Sequence, residues 1–298
     1  MPNKRPEPTV SAEHIAVANS VQNDYIKGTY NEEDFQILST MRYDPTLPAS
    51  LSDHVPKNIS GETTVLKPSA GAIASDKFFL FDEHVKRINF SLGYFHWDYE
   101  LSAQMLLDKL NAALEVEDVS KSLKLRVMIG NDGKVRIEIH PTPECDNLLA
   151  GLTTELTLWE VGIDKNPTDV TPFTSLKTTQ RDHYDQSRKN SRIEVGMKRD
   201  VIIYNPSKYV MECSISNVAF VRKHENAAGE TVERWVTPPL VCGCICGTMR
   251  SWLLKNGIME EEPVMVKDIR VGEPVLMFNA LMGVVKGKIV AEFSESEA

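Results

Sequence analysis

Leu176-Lys177-Thr178-Thr179-Gln180-Arg181 is the stretch from which the chain is best read, with Met211-Glu212-Cys213-Ser214-Ile215-Ser216-Asn217 following it and Gly243-Cys244-Ile245-Cys246-Gly247-Thr248-Met249-Arg250 completing the pattern. A lysine leaves a loop, a carboxylate ends a strand-like run, and a glycine turn opens a helix. These supply an amine nucleophile, an anion, and a set of free backbone N–H groups suited to a phosphate. None is specific alone, because a lone lysine is ordinarily solvated and a lone glutamate after an apolar run ordinarily closes a strand. Their order and spacing carry the reading.

Outward from that core, a helix is expected over about Asp182 to Lys198, then strands at Val201–Tyr204, Tyr209–Glu212 and Asn217–Arg222. Ala227-Ala228-Gly229 turns the chain toward Trp235-Val236-Thr237, and Pro238-Pro239 stops the pairing. The helix opened by the glycine turn runs through Leu254 and closes at Asn256-Gly257. Val264–Ile269 reads as a short strand and helix start. Val275–Phe278 is a buried strand ending at Asn279-Ala280-Leu281-Met282-Gly283, a loop placed to line a pocket.

Upstream, Phe35–Tyr43 alternates as a strand with Arg42 near its end, a common place for a binding group and equally that of a solvated arginine. Phe78-Phe79-Leu80-Phe81 reads as a short buried strand and Asp82 as the cap of the next helix, on which His84, Arg87 and Ile88 share a face. Arg87 can reach inward to a phosphate, although the pattern alone favours an exposed helical arginine. Leu101–Leu114 has a helical apolar period, Leu123–Ile129 and Val135–Ile139 flank the hairpin signal Asn131-Asp132-Gly133, and Leu156–Trp159 is a further short strand. Residues 1–30 read as a mobile tail with a helical turn near Ala12–Val21, and residues 48–74 as a long surface loop. The polar segment at 163–172, with Pro167 and Pro172, reads as a linker between an α+β domain of residues 31–162 and a larger one of residues 173–298.

The chain of 298 residues carries 33 basic and 42 acidic side chains, a formal charge of −9, so no basic field favours nucleic acid or an anionic membrane. Five cysteines without a regular framework, and no apolar N-terminal segment, point to a reducing, cytoplasmic setting with free thiols. No run approaches the roughly 20 apolar residues of a membrane-spanning helix. Cys242, Cys244 and Cys246 alternate without a second Cys/His cluster, a poor set for tetrahedral zinc, so no metal is expected. His84 and His183 read as structural, and no Walker-type Gly-x4-Gly-Lys-Ser/Thr is present.

Taken together, Ser39-Thr40-Met41-Arg42, His84-Val85-Lys86-Arg87-Ile88, Lys177-Thr178-Thr179-Gln180-Arg181, Glu212 with Asn217, Thr237-Pro238-Pro239-Leu240, Gly247-Thr248-Met249-Arg250 and Asn279-Ala280-Leu281 resemble the class IV aminotransferase-like family of pyridoxal-phosphate enzymes, from about Phe35 to Ile289. Within that family the likeness is greatest to the aminodeoxychorismate lyases, with aminotransferases of branched-chain or D-amino acids, or a noncatalytic relative, as alternatives. The resemblance implies the two-domain fold-type IV architecture, pyridoxal 5'-phosphate as cofactor, a small-molecule substrate and a homodimer. It implies Lys177 as the residue joined to the cofactor, Arg87 and the turn Gly247-Thr248-Met249 as phosphate ligands, and Glu212, with Asn217, at the ring nitrogen. Tyr184 is a candidate donor to the phenolic oxygen. Thr40, Arg42, Asn279 and Ala280 are candidates for the substrate. Ser39 stands where many relatives carry Glu, and Cys246 where many carry Pro.

Overall fold

The computed structural model describes residues 35–47, 66, 72–226 and 229–293, and its strands fall into two sheets. The smaller is antiparallel, made of β1 (Ile37–Tyr43), β2 (Leu123–Ile129) and β3 (Val135–Pro141) in that order. The larger is mixed and contains β4 (Trp159–Ile163), β5 (Arg199–Tyr204), β6 (Val210–Cys213), β7 (Asn217–Glu225), β8 (Thr231–Thr237), β9 (Glu260–Glu261), β10 (Pro274–Asn279) and β11 (Gly283–Ile289). Its order is β6-β5-β4-β11-β10-β7-β8-β9. The helices are α1 (Phe81–Tyr94), α2 (Ala103–Leu114), α3 (Pro172–Ser175), α4 (Asp182–Asn190) and α5 (Thr248–Lys255). This is the α+β class expected from the sequence.

Alternation gives the small sheet two unlike faces. Ile37 and Met41, with Leu125, Val127 and Ile129, join Ile88, Leu92, Leu106 and Leu110 of α1 and α2 in one apolar core. The opposite face carries Thr40, Arg126 and Glu138 side by side across the three strands. Gly133, at φ 71°, makes the hairpin between β2 and β3, and Asp132 Oδ1 accepts the Lys134 N–H there at 3.0 Å. Ser102 caps α2, its side chain accepting the Met105 N–H at 3.1 Å. In the larger sheet, Val161, Ile202, Val218, Val275 and Met277 form one core, and Met249 and Leu253 of α5 pack on Leu276 and Phe278 in another.

Several expected elements are corrected. Phe78–Phe81 is not a strand: Phe78 makes a single bridge to Tyr43, and Leu80, left-handed at φ 57°, starts α1 without a side-chain cap. Asp82 lies inside the first turn, where its charge favours the helix dipole. Leu156 and Leu158 are exposed, and the strand runs instead over Trp159–Ile163, where β5 and β11 offer partners on either side. α4 stops at Asn190, short of Lys198. The tail at 1–30, most of the loop at 48–74, and the turn residues Ala227 and Ala228 lie outside the described residues. The expected linker at 163–172 begins on the last residue of β4, which pairs within the larger sheet. We propose on that ground that the division between the two units falls before Trp159.

Arg42 is corrected as well. It is buried, and its guanidinium donates to Asp44 Oδ2 at 2.8 Å, to Ser122 Oγ at 2.8 Å and to the Pro143 carbonyl at 3.0 Å. It ties the end of β1 to the start of β2 and the chain beyond β3, with a protein partner for each guanidinium nitrogen. Removing one partner of a buried ion pair strands the other, so Arg42→Ala should lower the unfolding free energy by about 3–5 kcal/mol in urea titration. The cost should shrink when Asp44→Ala accompanies it.

Candidate active site

Lys177 is positioned by a short helix and a borrowed strand edge. Thr171 and Thr174 form a capping box around α3, with Thr171 Oγ1 accepting the Phe173 N–H at 3.2 Å and Thr174 Oγ1 accepting the Thr171 N–H at 3.0 Å. Phe173 and Leu176 are buried in the core of the small sheet, the Phe173 ring 5.0 Å from Phe35. The chain then runs along the free edge of β1: the Leu38 N–H donates to the Lys177 carbonyl at 2.9 Å and the Thr179 N–H to the Gln36 carbonyl at 2.9 Å. Lys177 thus pairs opposite Leu38 and points to the side of Thr40 and Arg126. Desolvation, with Arg181, Arg87 and Arg126 nearby, holds its pKa well below the ordinary lysine range, although Glu212 pulls the other way.

Glu212 lies on β6, opposite Ile203 of β5, and is buried. Its Oε1 accepts the Tyr184 hydroxyl at 2.5 Å and the Ile245 N–H at 3.1 Å, and its Oε2 accepts Asn217 Nδ2 at 2.8 Å. Asn217 Nδ2 also reaches the Ile245 carbonyl at 3.1 Å. Burial raises the carboxyl pKa to about 7 against these hydrogen bonds and the charges of Lys177 and Arg181. Behind Glu212, the turn at 214–216 is gripped by buried Asp200, whose Oδ1 accepts the Ser214 hydroxyl at 2.5 Å and the Ser214 N–H at 3.0 Å.

The other end of the site is built by α1 and α5. Arg87 donates to Ser39 Oγ at 2.8 Å, and Ser39 also contacts His84 Nδ1 at 2.7 Å. Burial lowers the Arg87 pKa to about 10, and His84 is held neutral by burial and by the charges of Arg87 and Lys177. Gly247 starts α5, and the helix has no side-chain cap, leaving its first-turn N–H groups free of intrahelical partners. A Cβ on Gly247 would stand 1.9 Å from Asn217 Oδ1, so only glycine fits there. Glu83 clamps the two helices, accepting Ser251 Oγ at 2.9 Å and Lys255 Nζ at 2.6 Å. Burial pushes the Glu83 pKa up, but Lys255, Lys86 and Ser251 outweigh it and hold the carboxyl below its usual value.

The structure thus brings Lys177, Glu212, Asn217, Arg87, Gly247 and Thr248 to one cleft. Met249 contributes only backbone, its side chain being core. Tyr184 is turned to a protein partner: its hydroxyl donates to Glu212. The Asn279 side chain donates to the Ile215 carbonyl at 3.0 Å and accepts the N–H groups of Leu281 and Met282, and the Ala280 methyl packs in apolar core. Thr40 lies on the face beside Arg126. Sequence reading missed Arg126, whose signal was strand alternation, and Arg181, which stands in the quoted motif itself. A separate cavity of about 480 Å³ beside α4 is lined by Asp164, Asp169, Asp182 and His183, the wrong sign for a phosphate.

The chain belongs to the class IV amino-transferases, whose pattern it matches over residues 65–290. It is an enzyme of that family. It is 32% identical over 262 residues to the aminodeoxychorismate lyase of Saccharomyces cerevisiae, covering 73% of this chain and 69% of that protein. Its fold is that of the Thermoproteus uzoniensis branched-chain aminotransferase solved with norvaline, at a TM-score of 0.58 and 15% identity over 88% of this chain and 81% of that one. A hypothetical aminotransferase of Mycobacterium tuberculosis in its PLP-bound form superposes with a TM-score of 0.56 and 12% identity, over 99% and 90% of the two chains.

Pyridoxal phosphate can be tested against the residues present. Arg87 Nε, Thr248 Oγ1 and Arg181 Nη1 are buried without hydrogen-bond partners, and three guanidinium groups and an amine act on the cleft against Glu212. A dianionic phosphate on a ring that also bears an oxygen fits that donor set and that charge.

Gly247→Ala should push Asn217 off Glu212 and weaken binding of inorganic phosphate or cofactor about tenfold or more, read by calorimetry. The raised Glu212 pKa contributes stability that is full below the unfolded carboxyl pKa and lost as pH rises through about 7. The depressed Lys177 pKa contributes stability only above the unfolded lysine pKa, so at neutral pH burying this lysine is a cost. Without cofactor, Glu212→Gln should therefore gain on the native sequence between pH 5 and 8, and Lys177→Met should be more stable at pH 7, each by about 0.5–2 kcal/mol in thermal denaturation.

Proposed function

We propose that the protein is a pyridoxal-phosphate-dependent lyase converting 4-amino-4-deoxychorismate to 4-aminobenzoate and pyruvate, a supply step for folate. The observation that carries the cofactor reading is the low-pKa amine of Lys177 in one cleft with buried Glu212 and the unpaired donors of Arg87 and Thr248. The likeness to a relative named for this activity favours the lyase over an aminotransferase.

When bound, the cofactor supplies an electron sink for the pair left on a substrate carbon that loses its proton. With that group in place, Lys177 would present a neutral amine to that carbon and take the proton. The C–O bond to the enolpyruvyl group then breaks, its electron pair leaving with the fragment. Lys177 returns the proton to that fragment, which departs as pyruvate while the ring becomes aromatic. Glu212, oriented by Tyr184, Asn217 and the Ile245 N–H, would set an anion against the pyridine nitrogen and keep it protonated. Arg87 and the first turn of α5 would hold the phosphate of that group. Family likeness supports a homodimer, and five free thiols support a cytoplasmic setting. Among the described residues no helix is long and apolar enough to cross a membrane.

The purified enzyme should release pyruvate from 4-amino-4-deoxychorismate with no keto acid present, and borohydride should fix the cofactor on Lys177. Lys177→Ala should cut kcat by about 10³-fold or more. Turnover of a branched-chain or D-amino acid that requires a keto acid acceptor, with no pyruvate release, would overturn the lyase reading in favour of transamination.

A further inference from the structure

Arg181 precedes α4 at its N-cap, four residues after Lys177, and is fixed from two sides. Its guanidinium lies 4.4 Å above the centre of the Tyr184 ring, a cation–π contact. Nη2 donates to the Ser214 carbonyl at 3.3 Å, and Ser214 is itself held by Asp200. Nη1 is buried and has no hydrogen-bond partner. A buried N–H left without an acceptor is costly unless a ligand takes it up.

The ligand's chemistry follows from the groups around it. Of the charged side chains acting on Lys177, Arg181 exerts the largest effect, ahead of Arg87, and it acts on Glu212 also. On a pyridoxal ring the oxygen-bearing carbon adjoins the carbon that carries the aldehyde, so the ring oxygen must lie beside Lys177. Tyr184 cannot donate to that oxygen, because its hydroxyl serves Glu212. Arg87 is turned to Ser39 and the phosphate end.

We infer that Arg181 donates through Nη1 to the ring oxygen of the bound cofactor and holds that oxygen as an anion beside Lys177. The inference rests on the cofactor reading above. Its consequence is electrostatic: a guanidinium that competes for the ring oxygen and repels positive charge makes a proton on the nitrogen joining Lys177 to the cofactor harder to keep. Arg181 therefore tunes the site as well as binding it.

The test is a pH titration of the absorbance of the Lys177-bound cofactor in wild type, Arg181→Gln, Arg181→Met and Arg181→Lys. Gln and Met should each raise the midpoint by about 1–3 pH units, the shift expected from losing a charge at hydrogen-bond range. Met keeps apolar bulk over Tyr184, so a rise shared by both variants reports charge rather than packing. Lys should restore most of the wild-type midpoint. Inorganic phosphate should bind the cofactor-free Arg181→Gln protein as it binds wild type, whereas Arg87→Gln should lose that binding. A cofactor band whose midpoint is the same in wild type, Gln and Met overturns the role given to Arg181 alone. A wild-type protein that forms no band on adding pyridoxal phosphate overturns the cofactor reading, and this role with it.

Discussion

An amine and a carboxylate share one desolvated cleft with three guanidinium groups, and the rest of the structure serves to hold that arrangement. Neither charge is comfortable there. Burial drives Lys177 toward its neutral form and Glu212 toward its protonated form, and the arginines add repulsion for the one and attraction for the other. A site with this excess of positive charge is complete only with an anion in it. The cost falls on the cofactor-free chain, the usual relation between an active centre and the stability of its scaffold.

Two structural devices make the arrangement possible. The first is the open edge of β1, where the segment after α3 completes the sheet and so delivers Lys177 at a defined height and to a defined face. An edge strand left bare invites unwanted pairing, and here it is covered by the reactive segment itself. The second is a set of polar clamps beyond the reacting groups: Asp200 on the turn after β6, Glu83 across α1 and α5, and the Tyr184, Asn217 and Ile245 donors on Glu212. Each fixes a residue that would otherwise be free to turn away, and fixed dipoles lose less energy to reorganisation than solvent would.

The errors of sequence reading share a cause. A strand-end arginine reads alike whether it awaits a substrate carboxylate or is already paired, and only the approach of Asp44, Ser122 and Pro143 shows that Arg42 is spent. Four apolar residues at Phe78–Phe81 look like a strand, yet Leu80 takes the left-handed conformation that turns the chain into α1. The strand near Trp159 was displaced by a few residues because pairing partners on both sides, not alternation, set its limits. Tyr184 reads as a donor to a ligand, and its hydroxyl goes to Glu212 instead, because spacing along a chain does not say which acceptor a hydroxyl will find.

The sequence alone determined the ingredients: a lysine in an otherwise polar loop, a glutamate closing an apolar run, an arginine on a helix whose burial the pattern left open, and a glycine turn before another helix. These are legible because each is a local relation, a period or a cap, acting over a few residues. Tertiary structure decided which of them meet and in what state. The pairing of Lys177 with Glu212, the commitment of Tyr184, and the presence of Arg126 and Arg181 beside the amine depend on contacts between segments far apart in the chain. Desolvation, which sets the protonation of both central groups, does not exist until those segments close over them.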